Sequence, residues 1–342
     1  LQQLNKSKAR KMNNTNASNP KILITMGDVA GVGPEIIVKA WDQIRTFCDP
    51  VVVGDPTWLQ KAINMLKVNL KIKTISEPEQ AIFQSDLICC ATVKTSDLSN
   101  VKNCEINAAA GQAAHDYLIQ SIDWAMEKRS NAIVTAPLHK EGLHLAGLDY
   151  PGHTEILAKR TNAPEHVMIL ALPELAVAHV TLHVALKNIF SELGIEKIVA
   201  RAQLLEGLLS KVLNRKPRIA IAALNPHGSD GGIFGDEEKT IIQPAANFCI
   251  QQGMNVSGPI PADTLFLRAS QGEFDGVVAM YHDQGHIALK LLGQRRAVNI
   301  TAGLPIVRTS VAHGTAYDIA WKGIADESSL ISAAKWAVKL GK

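Results

Sequence analysis

From residue 20 onward the chain alternates short apolar, β-branched runs, bounded by Gly, Pro, Asn or Asp, with longer segments of helical period. That alternation is the pattern of an α/β protein on a largely parallel sheet, and it leaves few other architectures open. The runs at 21–25, 51–53, 132–135, 175–182, 218–224 and 276–280 read as strands, and the segments 34–41, 108–128, 197–213, 237–252 and 328–340 as helices. At 342 residues, with 46% hydrophobic and 20% charged positions, there is material for a large core divided between two lobes. No repeat or low-complexity linker separates two halves, so any boundary is a crossing within the sheet.

Several classes are excluded early. The longest apolar candidate for a membrane span, 167–186, is broken by Pro173 and Glu174 and carries His179 and His183. Residues 1–19 are polar and Asn-rich with no apolar stretch, and read as a disordered tail rather than a secretory signal. Met12 is the expected natural start, with residues 1–11 an added extension. Five cysteines without a C-x-x-C pair argue against a disulfide framework and a thiolate zinc site, and fit a cytoplasmic protein. The formal charge of +3 is too small to announce a nucleic-acid binder. Four cations, Lys6, Lys8, Arg10 and Lys11, lie in the tail; without residues 1–11 the balance is 31 basic against 32 acidic residues. Affinity for an anionic ligand must then come from a few placed groups rather than a global field.

Ligands of open α/β sheets bind beyond the carboxyl ends of strands. Here those ends carry Gly27-Asp28, Gly54-Asp55, Ala136 to Lys140, His183, Asn225-Pro226-His227 and Tyr281-His282-Asp283, six ends on one expected site. His183, His227 and His282 are the candidate ligands of a catalytic divalent ion, since neutral imidazoles leaving open positions are the arrangement of a catalytic metal. His179 shares a face with His183 if that stretch is extended, and is expected to be a neighbour rather than a ligand. The segment His282-Asp283-Gln284-Gly285-His286 spaces two histidines like a metalloprotease helix, but it lacks the glutamate, and Gly285 argues against a continuous helix. Gly27 to Glu35 follows a strand and opens a helix, yet matches neither the P-loop nor the dinucleotide fingerprint. It is expected to be a tight turn near the site, with Pro34 starting the helix. Lys290, Asn299 and Arg308, with Gly152-His153-Thr154-Glu155, are candidate anion binders; Arg308 behind the apolar run 297–307 would need an anionic partner.

Taken together and in order, ILITMGDVAGVGPEI, IVTAPLHKEGLHLAGLDYPGHTE, ALNPHGSDGGIFGDEE, GPIPADTLF, VVAMYHDQGH and VNITAGLPIVRTSVAHGTAYDIAWKG resemble the 4-hydroxythreonine-4-phosphate dehydrogenase family, PdxA. The last segment is also similar to the corresponding stretch of isopropylmalate and isocitrate dehydrogenases, with Trp321 where those have glycine. The resemblance implies two α/β/α lobes of that dehydrogenase type with the active site in the cleft between them: residues 20–140 with 297–342 as the first, and 141–296 as the second, which carries a homodimer interface. It implies sites shared across that interface, a single divalent metal per site on His183, His227 and His282 (zinc first, magnesium or cobalt as alternatives), and NAD or NADP bound outside a Rossmann fold. Substrate contacts carried over are His153, Thr154, Lys290, Asn299 and Arg308; the cofactor-lining residues are His313, Gly314, Thr315 and Asp318; Lys140, Asp263 and Asp283 are the candidate catalytic residues.

The implied chemistry is oxidation of a 3-hydroxyl with Lys140 or Asp283 taking the proton, then loss of carbon dioxide, which for 4-phosphohydroxy-L-threonine gives 3-amino-1-hydroxyacetone phosphate in vitamin B6 biosynthesis. A paralogous activity on 4-phospho-D-threonate or 4-phospho-D-erythronate is the runner-up. A metal-dependent phosphatase and a nucleotide-binding regulator are the alternatives from other classes. No nucleic-acid or membrane partner is expected.

Overall fold

The structure, a computed structural model, describes residues 19–342; residues 1–18, which hold nearly all of the expected tail, lie outside the described residues. Its frame is one sheet of twelve strands: β1 (Lys21–Thr25), β2 (Asp49–Val53), β3 (Lys71–Ile75), β4 (Leu87–Ala91), β5 (Ala132–Thr135), β6 (Val167–Ala171), β7 (Ala176–His179), β8 (Ile219–Ala222), β9 (Val256–Ile260), β10 (Gly276–Ala279), β11 (Val298–Ala302) and β12 (Arg308–Val311). The spatial order is β3-β4-β2-β1-β5-β12-β11-β6-β7-β10-β8-β9. Strands β5, β7, β8, β10 and β12 are buried along their whole length, as strands of a sheet covered on both faces must be. The edge strand β3 exposes Lys71 and keeps only Ile75 buried, a charged edge that resists pairing with another sheet.

Residues 20–140 with 297–342 supply the strands from β3 to β11 in that order, and 141–296 supply those from β6 to β9. The sheet is continuous across the junction, because β11 pairs with β6 over five residues. One apolar cluster likewise joins Ile22, Val134 and Trp336 to Ile169, Leu205 and Val278.

The junction reverses the sheet. Strand β12 runs parallel to β5 but antiparallel to β11, β11 runs antiparallel to β6, and β6 antiparallel to β7. After three reversals β7, β10 and β8 point opposite to β1, β2 and β5. The six strand ends therefore form two groups with opposite directions rather than the single gathering expected: Gly27-Asp28, Gly54-Asp55 and Ala136 to Lys140 in one, and the three histidine loops in the other.

The stretch after β10 also departs from expectation. His282–Gly293 is a continuous α-helix that passes through Gly285. A Cβ on Gly285 would stand 2.4 Å from Nε2 of His179 and 2.7 Å from a Val177 methyl carbon. The glycine is there to let the helix lie against β7, so its helix-weakening effect is outweighed by close packing. Among the described residues no helix is long and apolar enough to cross a membrane.

Candidate active site

A cavity of about 290 Å³ lies across the antiparallel centre of the sheet. It draws Thr135 to Leu138 and Lys140 from beyond β5, Gly152 to Glu155, Asn299 and Arg308 from around the centre, His313 and Gly314 from beyond β12, and His183 from the opposing group. Arg308 is its buried charge. The side chain is buried, and its guanidinium donates to Thr301 Oγ1 at 3.1 Å and Thr135 Oγ1 at 2.6 Å, while its Nε has no partner among the described residues. Burial pushes this guanidinium down to about 9, against the opposing pull of Glu155. A buried cation held by hydroxyls alone is a cation awaiting an anion.

Glycine 152 ends the preceding turn in an extended conformation and caps the helix His153–Thr161 with no side chain, so the first amides of that helix are free at the cavity wall. His153, at its first position, is held well below its ordinary value by burial and by the charge of Arg308, and is neutral. Asn299 donates to Val311 O at 3.5 Å, which ties β11 to β12 beside the cavity.

The expected cofactor segment divides. His313 and Gly314 line the cavity, and among the described residues nothing stands within 4 Å of where a Gly314 side chain would be, so a flat ring has room against the backbone there. Thr315 is buried and anchors the glycine loop: its carbonyl accepts from Val32 N at 3.0 Å, and Gly31 packs on it so closely that a Cβ would collide. Asp318 is exposed on the outer side of the segment. Behind them, Tyr317 donates to the buried Asp28 carboxylate at 2.5 Å and stacks on His139 at 5.1 Å. Burial raises Asp28 above its ordinary value despite that bond. The glycine-rich loop is thus the tight turn expected, with Pro34 opening the helix Gly33–Ile44, and its acid is a structural peg.

The three metal candidates do not meet. His183 and His282 face each other across a second cavity, ring centroids 6.1 Å apart. His227 lines a third cavity with Asp263, and Tyr281 borders both. Among the described residues no three His, Cys, Asp or Glu side chains of this chain converge as a metal site. The donor chemistry nevertheless suits a divalent ion. A metal–nitrogen bond of about 2.0–2.1 Å sets two imidazoles of a tetrahedral site roughly 5 Å apart between centroids, so His183 and His282, at 6.1 Å, would close by about 1 Å to share an ion. Asp283 accepts from Nδ1 of His282 at 2.7 Å, leaving Nε2 free to ligate. That bond makes Asp283 an orienting group for His282 and keeps it out of the Arg308 cavity. Lys290 is exposed two turns along the same helix and also stays outside that cavity.

Two supporting devices go beyond the motifs, although His179 of the second is the neighbour expected there. The loop carrying His227 runs through six consecutive left-handed residues, of which His227, Ser229 and Asp230 are not glycine. Each of those costs about 1–2 kcal/mol. Glu238 holds the loop: its buried carboxylate accepts from Leu224 N (2.8 Å), Asn225 N (2.7 Å), Asn225 Nδ2 (2.9 Å) and Ser229 Oγ. These bonds lower Glu238 below its ordinary value even though burial opposes them. The second device is an imidazole layer behind His282, in which His286 stacks on His282 and contacts the buried His179.

The family model described as pyridoxal phosphate biosynthetic protein PdxA matches residues 46–337. A D-threonate 4-phosphate dehydrogenase of Cupriavidus necator is 44% identical over 332 residues, covering 94% of this chain and 97% of that protein. A 4-hydroxythreonine-4-phosphate dehydrogenase of Desulforapulum autotrophicum is 42% identical over 323 residues, covering 94% and 95%. Among solved structures, 4-hydroxythreonine-4-phosphate dehydrogenase from Klebsiella pneumoniae matches with a TM-score of 0.86 and 40% identity, covering 96% of this chain and 99% of that one.

Proposed function

The chain belongs to the PdxA family of oxidoreductases, and from that membership we propose that it oxidises the 3-hydroxyl of a four-carbon acid phosphorylated at its fourth carbon. The observation that carries the substrate class is Arg308: a buried guanidinium with hydroxyl partners only, opening on the same cavity as a free helix N-terminus. We place 4-phospho-D-threonate first. The relatives of Cupriavidus necator and Oceanobacillus iheyensis, each 44% identical, bear that substrate in their names, the second as a putative enzyme. The second reading, 4-phosphohydroxy-L-threonine, is favoured by Glu155, a carboxylate on the cavity wall suited to the ammonium that distinguishes this substrate.

In this reading Arg308 and the amides of His153 and Thr154 bind the anionic end, Asn299 fixes the wall, and Lys140 at the cavity mouth takes the hydroxyl proton. Asp283 is left to orient His282. A divalent ion on His183, His282 and His227, zinc first for an all-imidazole set, would supply Lewis acidity at the substrate hydroxyl, and NAD or NADP against His313 and Gly314 would supply the hydride acceptor. The resulting 3-keto acid sheds its carboxylate as carbon dioxide; from 4-phospho-D-threonate this leaves dihydroxyacetone phosphate.

The same reading makes the working unit a homodimer. The cavity of His183 and His282 is also lined by the exposed Leu186, the helix from His282 exposes Ile287 and Leu291, and the His227 loop continues into exposed Ile233 and Phe234. Apolar groups of this size in one neighbourhood mark a contact face. A second copy on it would bring His227, Asp263 and Lys290 to the half-built site.

The test is reduced-nicotinamide absorbance with each phosphorylated acid and either cofactor, before and after chelation. Turnover that the chelator abolishes and added zinc or cobalt restores is expected; no reduction under any combination would contradict the reading.

A further inference from the structure

His286 takes no part in the chemistry above, yet it stands between β7 and the proposed ligand His282. Its ring lies parallel to that of His282, centroids 3.8 Å apart and planes 9° apart. Its Nδ1 is 3.1 Å from Nε2 of His179 and 3.2 Å from the His282 carbonyl. His179 ends β7 and is itself 1% exposed, so it cannot yield. Gly285 clears the space in which the two rings meet, since any side chain there would enter the His179 ring.

We propose that His286, backed by His179, is a positioning residue that fixes the plane of the His282 imidazole. The inference rests on the reading of His282 as a metal ligand. The hydrogen bond from His282 Nδ1 to Asp283 sets the in-plane direction of the ring but leaves it free to tilt about that bond. A parallel ring against one face removes the tilt. Asp283 is exposed and lies on the first turn of the helix, so it does not supply that second restraint. The rigid element behind the ligand is then a sheet strand, reached through His286 and His179, in place of a flexible loop. Hydrogen-bonded outer groups that orient a ligating imidazole commonly set metal affinity by ten- to a hundredfold, and a stacked ring that removes the remaining tilt is expected to act on the same scale.

The experiment compares cobalt(II) binding by the full-length protein with His286→Leu and His286→Phe, following affinity and the visible d–d spectrum. Leucine keeps the volume without a stacking face; phenylalanine keeps the stacking face without the nitrogens. Melting temperature and circular dichroism check the fold of each. The expected result is cobalt affinity lowered roughly ten- to a hundredfold with an altered spectrum in His286→Leu, and affinity within about threefold of the parent in His286→Phe. Parent-like affinity in His286→Leu would overturn the proposal, and so would a His286→Phe variant as weak as His286→Leu. A parent protein that takes up no cobalt would instead remove the reading of His282 on which the proposal stands.

Discussion

The cavity around Arg308 and the face around His282 both gather residues at strand ends, yet the first closes within one chain and, among the described residues, the second does not. Charge explains the difference. A guanidinium taken out of water must find its acceptors and walls already in place when the chain folds, and Arg308 does so through Thr135 and Thr301. Imidazoles cost little to leave in water, so His183 and His227 can remain exposed in the single chain, where the proposed partner surface and ion would cover them. A site can therefore be preorganised in its cationic half and left open in its imidazole half.

The largest effect that separates the two halves is expected at Arg308. Replacing it with methionine, which fills much of the same volume, removes charge-assisted contacts worth about 1.5–3 kcal/mol and should raise the KM for the phosphorylated acid by roughly ten- to a hundredfold. Metal content, measured on the same preparation, should be unchanged. If Arg308→Met lost its metal as well, the two halves would not be independent.

A smaller and opposite effect is expected at Glu238. Glutamine there presents donors to a loop that offers only donors, so the left-handed turn bearing His227 should relax. Metal affinity should fall about tenfold, with a lower melting temperature, while the KM for the acid in metal-saturated protein stays within about twofold. A raised KM with intact metal binding would place Glu238 on the wrong side of the comparison.

The charged half was the more legible. Arg308 stands after an apolar run, and a cation in that setting asks for an anion whatever the topology. Strands β1 and β5 and the helix Ser328–Leu340 read correctly to the residue, because their apolar runs are bounded by turn residues or clean periodicity. Strand β3 was lost in its own lysines, which suit an edge but hide the alternation. The helix His282–Gly293 was obscured by Gly285, whose purpose is set by His179, a residue 106 positions earlier. The expected helix at 237–252 begins as a π turn, Glu238–Ile242, before the α-helix Gln243–Gln251, and Pro244 falls at the start of that second element, where its missing N–H is tolerated. The reversal of the sheet between β5 and β7 has no local signal at all; it follows from how β11 and β6 insert at the centre, and it is what splits the strand-end residues into two groups.

The claim that the histidine half is completed by a second copy has a direct measurement. His227→Ala and His282→Ala are each expected to be inactive as pure proteins. Mixed in equal amounts under conditions that exchange subunits, they form hybrids in which one of the two sites takes His183 and His282 from one chain and an intact His227 from the other. The predicted result is recovery of about a quarter of the parental dehydrogenase activity, since random pairing makes half of the dimers hybrid and each hybrid holds one whole site. If subunit exchange is verified and no activity returns, the three histidines come from a single chain and the division of the site is contradicted.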